Sequence, residues 1–154
     1  MNEIIDNIWI GDSHDANHDY KGLKQNGITA ILNVANDLDN QYTFKDGFKL
    51  SICGLIDGAG NHSHAILSAL YQLKNLVDSG HTILVHCHEG KSRSAFIVGL
   101  YLKIKYGMKW EDTIIFLKSK RPIISINLKL PFDLIKLEKE ETNVKYNVSS
   151  QHEG

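Results

Sequence analysis

Cysteine is scarce in this chain, with two residues in 154, and two thiols cannot build a disulfide framework. Cys53 and Cys87 are therefore expected as free thiols in a reducing compartment, and the protein is expected to be cytoplasmic. Charge of one sign is also missing. The formal net charge is -1, so bulk electrostatics points to neither nucleic acid nor an anionic membrane as partner. No apolar run approaches the roughly 20 residues needed to span a bilayer. Met1 opens onto MNEIIDN, an acidic and Asn-rich stretch unlike the basic start of an export signal. Repeats, low-complexity segments and internal linkers are absent too.

The composition that remains is that of an ordinary globular domain, 42% hydrophobic and 23% charged. A chain of this length buries roughly 68–70% of its unfolded surface, enough for one core. One domain over residues 1–142 is expected, with 143–154 as a flexible tail and a monomer or weak dimer as the working state.

Periodicity predicts alternating strands and helices. IIDNIWI (4–10) is β-branched and reads as a strand, followed by turn and cap residues, a short helix and the Asn26-Gly27 turn. ITAILNVA (28–35), FKLSIC (48–53) and TILVHC (82–87) read as interior strands buried on both faces. Ile66, Leu70, Leu73 and Val77 recur at helical spacing before Gly80. SAFIVGLYLKIKYG is apolar on nearly every side up to Lys103 and predicts a central helix. Further helices are expected near 110–120 and 128–141, divided by Arg121-Pro122, with Pro131 tolerated in a first turn. The expected class is α/β, a central mostly parallel or mixed sheet of four to five strands with helices on both faces.

Chemistry concentrates in VHCHEGKSRS, residues 85–94. A strand ends at Cys87, five residues follow, and Arg93 stands at the mouth of a helix. A short loop with inward N–H groups beside a helix N-terminus binds a phosphoryl dianion, and Gly90 permits the curl. Arg93 can hold two phosphoryl oxygens with its planar fork. The same positive field lowers a thiol pKa from about 8.5 to roughly 3.5–7.5, making Cys87 a thiolate nucleophile. Attack on phosphorus would give a phosphocysteine, and the leaving oxygen then needs a proton. Asp57, in the Gly-rich LIDGAGN after a strand, would meet the cradle at the carboxyl edge of a parallel sheet. Gly58 and Gly60 suit a movable loop there.

VHCHEGKSRS resembles the signature loop of the dual-specificity protein phosphatases, His-Cys-x5-Arg followed by Ser or Thr. The resemblance runs in order and spacing through NIWIGDSHDA, ILNVA, Asp57, YLKIKYGMKWEDTIIFLKSKRPIIS and the closing helix. It implies a small, cofactor-free and metal-free cysteine phosphatase acting on phosphorylated proteins, with His88, Glu89, Gly90, Lys91, Ser92 and Arg93 lining the phosphate. It further implies that His86 orients the loop, that Ser94 hydrogen-bonds the sulfur and assists phosphocysteine breakdown, and that Asn127 braces the loop. No insertion deepens the pocket toward phosphotyrosine alone, so phosphoserine, phosphothreonine and phosphotyrosine would all enter. Two positions depart from the pattern: Ile126 stands where many members carry proline, and Lys91 where an apolar residue is common.

Plainer readings stand beside these. Asp57-Gly58 is also a common turn pair; Asp37, Asp39 and Asp46 read as surface or capping residues of a polar connection. Cys53 reads as a small buried hydrophobe, with a redox disulfide to Cys87 as its alternative. The pairs His62/His64 and His86/His88 lack a further ligand cluster for a metal. Lys91 is a solvated loop residue or an attractor for a more acidic substrate, such as a phosphoinositide or an RNA 5′ phosphate. Lys118, Lys120 and Arg121 read as an exposed helix end. A phosphate-binding adaptor without turnover, arsenate reduction and sulfur transfer are the competing functions.

Overall fold

Asn7 is the point at which the opening apolar run reverses. It adopts φ 73°, a left-handed conformation that Asn tolerates better than most residues. β1 (Asn2–Ile5) and β2 (Ile8–Gly11) therefore form an antiparallel hairpin around Asp6-Asn7. The single strand expected over 4–10 is corrected to two, because β-branched composition marks extended chain without marking where it turns back. The computed structural model describes residues 1–37, 47–131 and 133–134. The helix expected over 128–141 is corrected at its start: residues 128–131 are not helical, since Pro131 holds the residue before it extended, and helix is present at Asp133 and Leu134. Its continuation from 135 to 141, the 143–154 tail, Asp39 and Asp46 lie outside the described residues.

β3 (Ala30–Ala35), β4 (Lys49–Leu55) and β5 (Ile83–His86) join the hairpin in a five-stranded sheet of order β1-β2-β5-β3-β4. The pairs β2–β5, β5–β3 and β3–β4 are parallel, so the sheet is mixed. β3 and β5 are buried along their whole length, as a continuous apolar run requires. β4 corrects the expectation of an interior strand: it is an edge, and Ile52 is 63% exposed. FKLSIC alternates apolar and polar residues, which is a one-sided pattern. Phe48 and Leu50 pack into the cluster formed with Ala16 and Leu23, whereas Ile52 does not.

Two unequal layers cover the sheet. On one face lie α1 (Ser13–His18) and α2 (Tyr20–Gln25), which bring Ala16 and Leu23 onto Ile31 and Leu84. Asp12 and Asp15 cap α1 reciprocally at 2.8 and 3.0 Å, and Asp19 starts α2 by accepting from Gly22 N–H at 3.0 Å. On the other face α3 (Ser63–Asp78), α4 (Arg93–Tyr106) and α5 (Trp110–Lys120) pack over Ile8, Ile10, Leu32, Val34, Ile83 and Val85. Alternate strand residues thus supply opposite faces, Leu84 to one cluster and Ile83 and Val85 to the other. Every residue of α4 from Arg93 to Leu102 is buried. Its Gly99 lies so close to Trp110 that a Cβ would meet the indole at 3.1 Å.

This winding sets the place of the chemistry. The carboxyl ends of β2, β3, β4 and β5 lie on one edge, at Gly11, Ala35, Leu55 and His86. The segments that follow them, including those holding Asp37 and Asp57, gather there.

Candidate active site

The turn from β5 into α4 is built by fastening its carbonyls outward. The carbonyl of Cys87 faces His86 Nδ1 at 3.2 Å, and that of His88 accepts from Ser13 N–H at 3.0 Å. Arg121 reaches the next two, donating from Nη2 to the Glu89 carbonyl at 3.2 Å and from Nε to the Gly90 carbonyl at 2.8 Å. Lys91 O accepts from Ser125 N–H at 2.9 Å, and Ser92 O from Phe96 N–H at 2.8 Å as α4 begins. With the carbonyls engaged outside, the N–H groups are left for the concave side, which is the requirement for an anion nest.

Cys87 lies at the base of this loop, 3% exposed. Burial is the largest influence on its thiol and pushes the pKa up. Hydrogen bonds from the Ser94 hydroxyl and from the backbone of Ser94, Gly90 and Ser92 together outweigh it, so the pKa falls below the ordinary cysteine value. The Ser94 Oγ is 3.3 Å from the sulfur, the contact expected of Ser94.

Arg93 opens α4 with its side chain 2% exposed. Its Nη1 donates to the Leu55 carbonyl at 3.2 Å and to Asp37 Oδ1 at 2.6 Å. Asp37 is exposed, as expected of a surface residue, and it is in addition a partner of the arginine. That hydrogen bond is the largest influence on its carboxyl and holds it below the usual carboxylate range. Spacing along the chain gave no hint of this, since 56 residues separate the two.

His86 is fully buried, and desolvation lowers its pKa to about 4. It is a neutral imidazole beside the loop backbone, in the place expected for an orienting residue. Asn127 reaches the loop through Ser92: the Ser92 hydroxyl donates to Asn127 Oδ1 and accepts from Asn127 N–H at 3.0 Å. The neighbouring Ile126 packs partly buried against the main core. His88, Glu89 and Lys91 are exposed on the rim, with Lys91 Nζ and Glu89 Oε2 paired at 3.2 Å.

Asp57 occupies the turn after β4, with an exposed side chain. Asn61 ties down the backbone around it with bonds to Ile56 and Gly58. Cys53 is half-buried on β4, its sulfur 3.8 Å from both the carbonyl and the hydroxyl of Ser68. Among the described residues no group of three His, Cys, Asp or Glu is placed to hold a metal ion.

Sequence reasoning missed Arg121 as well as Asp37 and Asn61. Arg121 is 6% exposed, not part of an exposed helix end like Lys118 and Lys120. The helix stops at Lys120, and Arg121 adopts φ -141° and ψ 91°, which breaks the helical direction. Its third contact, Nη1 to Asn2 Oδ1 at 2.7 Å, ties β1 to the same cluster. The only signal in KSKRP was the residue type itself, since the guanidinium fork matches a pair of carbonyls and an ammonium does not.

The profile of the dual specificity phosphatase catalytic domain matches residues 8–140. Dual specificity protein phosphatase 4 of Gallus gallus is 34% identical over 143 residues, covering 90% of this chain and 36% of that protein. Dual specificity protein phosphatase 2 of Mus musculus is 31% identical over 136 residues, covering 88% and 42%. The chain thus spans about two fifths or less of the length of these curated relatives. Among solved structures, a mouse putative dual specificity phosphatase complexed with zinc tungstate superposes with TM-score 0.75 at 23% identity, covering 96% of this chain and 89% of the other. The human tyrosine phosphatase-like serine/threonine/tyrosine-interacting protein gives 0.73 at 25% identity, covering 82% and 87%. Profile, relatives and fold agree, and the chain belongs to the dual-specificity phosphatase family.

Proposed function

We propose that this chain is a cytoplasmic, cysteine-dependent phosphatase that removes phosphate from phosphotyrosine, phosphoserine and phosphothreonine in proteins, acting as a monomer or weak dimer. The observation that carries the reading is the buried Cys87 sulfur, hydrogen-bonded by Ser94 and by loop backbone, at the foot of α4 beside Arg93.

The thiolate of Cys87 attacks phosphorus and forms the S–P bond while the ester P–O bond breaks. Asp57 donates its proton to the leaving oxygen, which departs as the substrate hydroxyl. Loop N–H groups and the Nε and Nη2 edge of Arg93 stabilise the equatorial oxygens as charge shifts. Nη1 is meanwhile held by Leu55 and Asp37, which fixes the plane of the guanidinium. Water then attacks the phosphocysteine, its proton passes to the Asp57 carboxylate, and the S–P bond breaks to return thiolate and release inorganic phosphate. Ser94, 3.3 Å from the sulfur, can donate to the departing thiolate.

Turnover of aryl phosphate and phosphopeptides by Cys87→Ser and Asp57→Asn tests this. Cys87→Ser is expected to abolish turnover yet bind phosphopeptide. Asp57→Asn is expected to slow turnover by about 10²- to 10⁴-fold, the usual worth of a general acid. Full activity in Cys87→Ser would refute the mechanism. Phosphopeptide binding by wild type with no phosphate released would favour the adaptor reading. Parallel rates on phosphoinositide and RNA 5′-phosphate substrates decide the substrate class.

A further inference from the structure

The side chain of Asn61 holds the turn that carries Asp57. Asn61 is 7% exposed. Its Oδ1 accepts from Ile56 N–H at 2.7 Å, and its Nδ2 donates to the Ile56 carbonyl at 2.8 Å and the Gly58 carbonyl at 3.2 Å. These bonds clasp the backbone on both sides of Asp57. Gly58 and Gly60 adopt φ 125° and 93° and have open space where a Cβ would project. Two glycines give a short turn wide conformational freedom, and the Asn61 amide opposes it with both a donor group and an acceptor.

We propose that Asn61 is a positioning residue for the general acid: it fixes the backbone of residues 56–58 so that the exposed Asp57 carboxyl is presented to the leaving oxygen at the loop's mouth. This rests on the reading of Asp57 as the acid. Misplacement by about 1 Å can cost on the order of 10²-fold in a positioned step. The loss falls only on chemistry that needs the proton, because Cys87, Arg93 and the loop are held by other contacts. An asparagine that merely stabilised the turn would instead affect all substrates alike.

The test is kcat/KM for a series of aryl phosphates whose leaving phenols range from strongly to weakly acidic, because kcat/KM reports the first transition state. The proteins are wild type, Asn61→Ala, Asn61→Ser, Asp57→Asn and the double variant Asp57→Asn with Asn61→Ala. Asn61→Ala is expected to lose about tenfold or more on phenyl phosphate and less than about threefold on the most activated ester. Asn61→Ser, which keeps a single hydrogen-bonding group, is expected in between, and it carries the same readout if the alanine variant fails to fold. Inhibition by vanadate is expected within about threefold of wild type, since the nest that binds the oxyanion is built separately. In the Asp57→Asn background Asn61→Ala is expected to have no further effect.

A uniform loss across leaving groups, or a further loss in the Asp57→Asn background, overturns the positioning role alone. If Asp57→Asn itself shows no leaving-group dependence, the acid assignment falls and the proposal falls with it.

Discussion

A guanidinium offers five N–H donors in a fixed plane and no acceptor. Arg121 directs these donors to the Glu89 and Gly90 carbonyls and to Asn2 Oδ1. It joins the end of α5 to the first strand and to the outer side of the Cys87–Arg93 loop. Removing it leaves buried carbonyls without partners, and each unsatisfied group costs about 1–3 kcal/mol. Arg121→Met, which keeps an apolar stem, is therefore expected to lower unfolding free energy by about 2–4 kcal/mol and to weaken vanadate inhibition about tenfold. Denaturant titration and an inhibition series measure the two. Arg121→Lys is expected to recover little, since one ammonium cannot serve both carbonyls from one plane. An Arg121→Met protein with wild-type stability and inhibition would show that the loop holds its shape unaided.

The Cys87–Arg93 loop as an element depends on a close approach of backbones. Gly90 has φ 67°, and a Cβ there would lie 2.5 Å from the Gly11 carbonyl oxygen and 2.7 Å from Arg121 Nη2. Gly11 ends β2, which is paired along its length with β5, so that oxygen has little room to give. Gly90→Ala is expected to open the loop, withdraw a backbone donor from the Cys87 sulfur and move the thiol pKa upward. Alkylation of Cys87 followed against pH reads this directly: the variant's reactive limb shifts to higher pH, and an unchanged profile contradicts the loop geometry. The Gly within Cys-x5-Arg was legible in the sequence. Its neighbours in space were not, because Gly11 and Arg121 lie far from it along the chain.

At the scale of the whole molecule, His86 couples the site to acid stability. Its pKa falls from 6.5 to about 4 in the folded protein because burial disfavours the imidazolium. Between those values the unfolded chain binds a proton that the folded chain refuses. Stability is therefore full above pH 6.5, declines as the pH falls toward 4 and levels off below it. The contribution is on the order of 3 kcal/mol. Denaturation midpoints from pH 7 down to pH 4 are expected to fall in the wild type and to change much less in His86→Gln. Parallel curves would remove His86 from the acid transition.

Continuous apolar runs fixed β3 and β5 as buried strands, helical spacing marked α3, and the stretch that is apolar on nearly every side marked α4, because these signals are local. Cys87, Gly90, Arg93 and Ser94 were legible for the same reason: the loop they share lies within eight consecutive residues. Tertiary structure alone decided that β4 is an edge, that the first strand is a hairpin, that Asp37 meets Arg93, that Asn61 clasps the turn of Asp57, and that Arg121 holds the Glu89 and Gly90 carbonyls. Hydrogen bonds to carbonyls and to a guanidinium leave no period in a sequence. Only the meeting of strand ends on one sheet edge, and of β1 with the end of α5, brings those partners within reach.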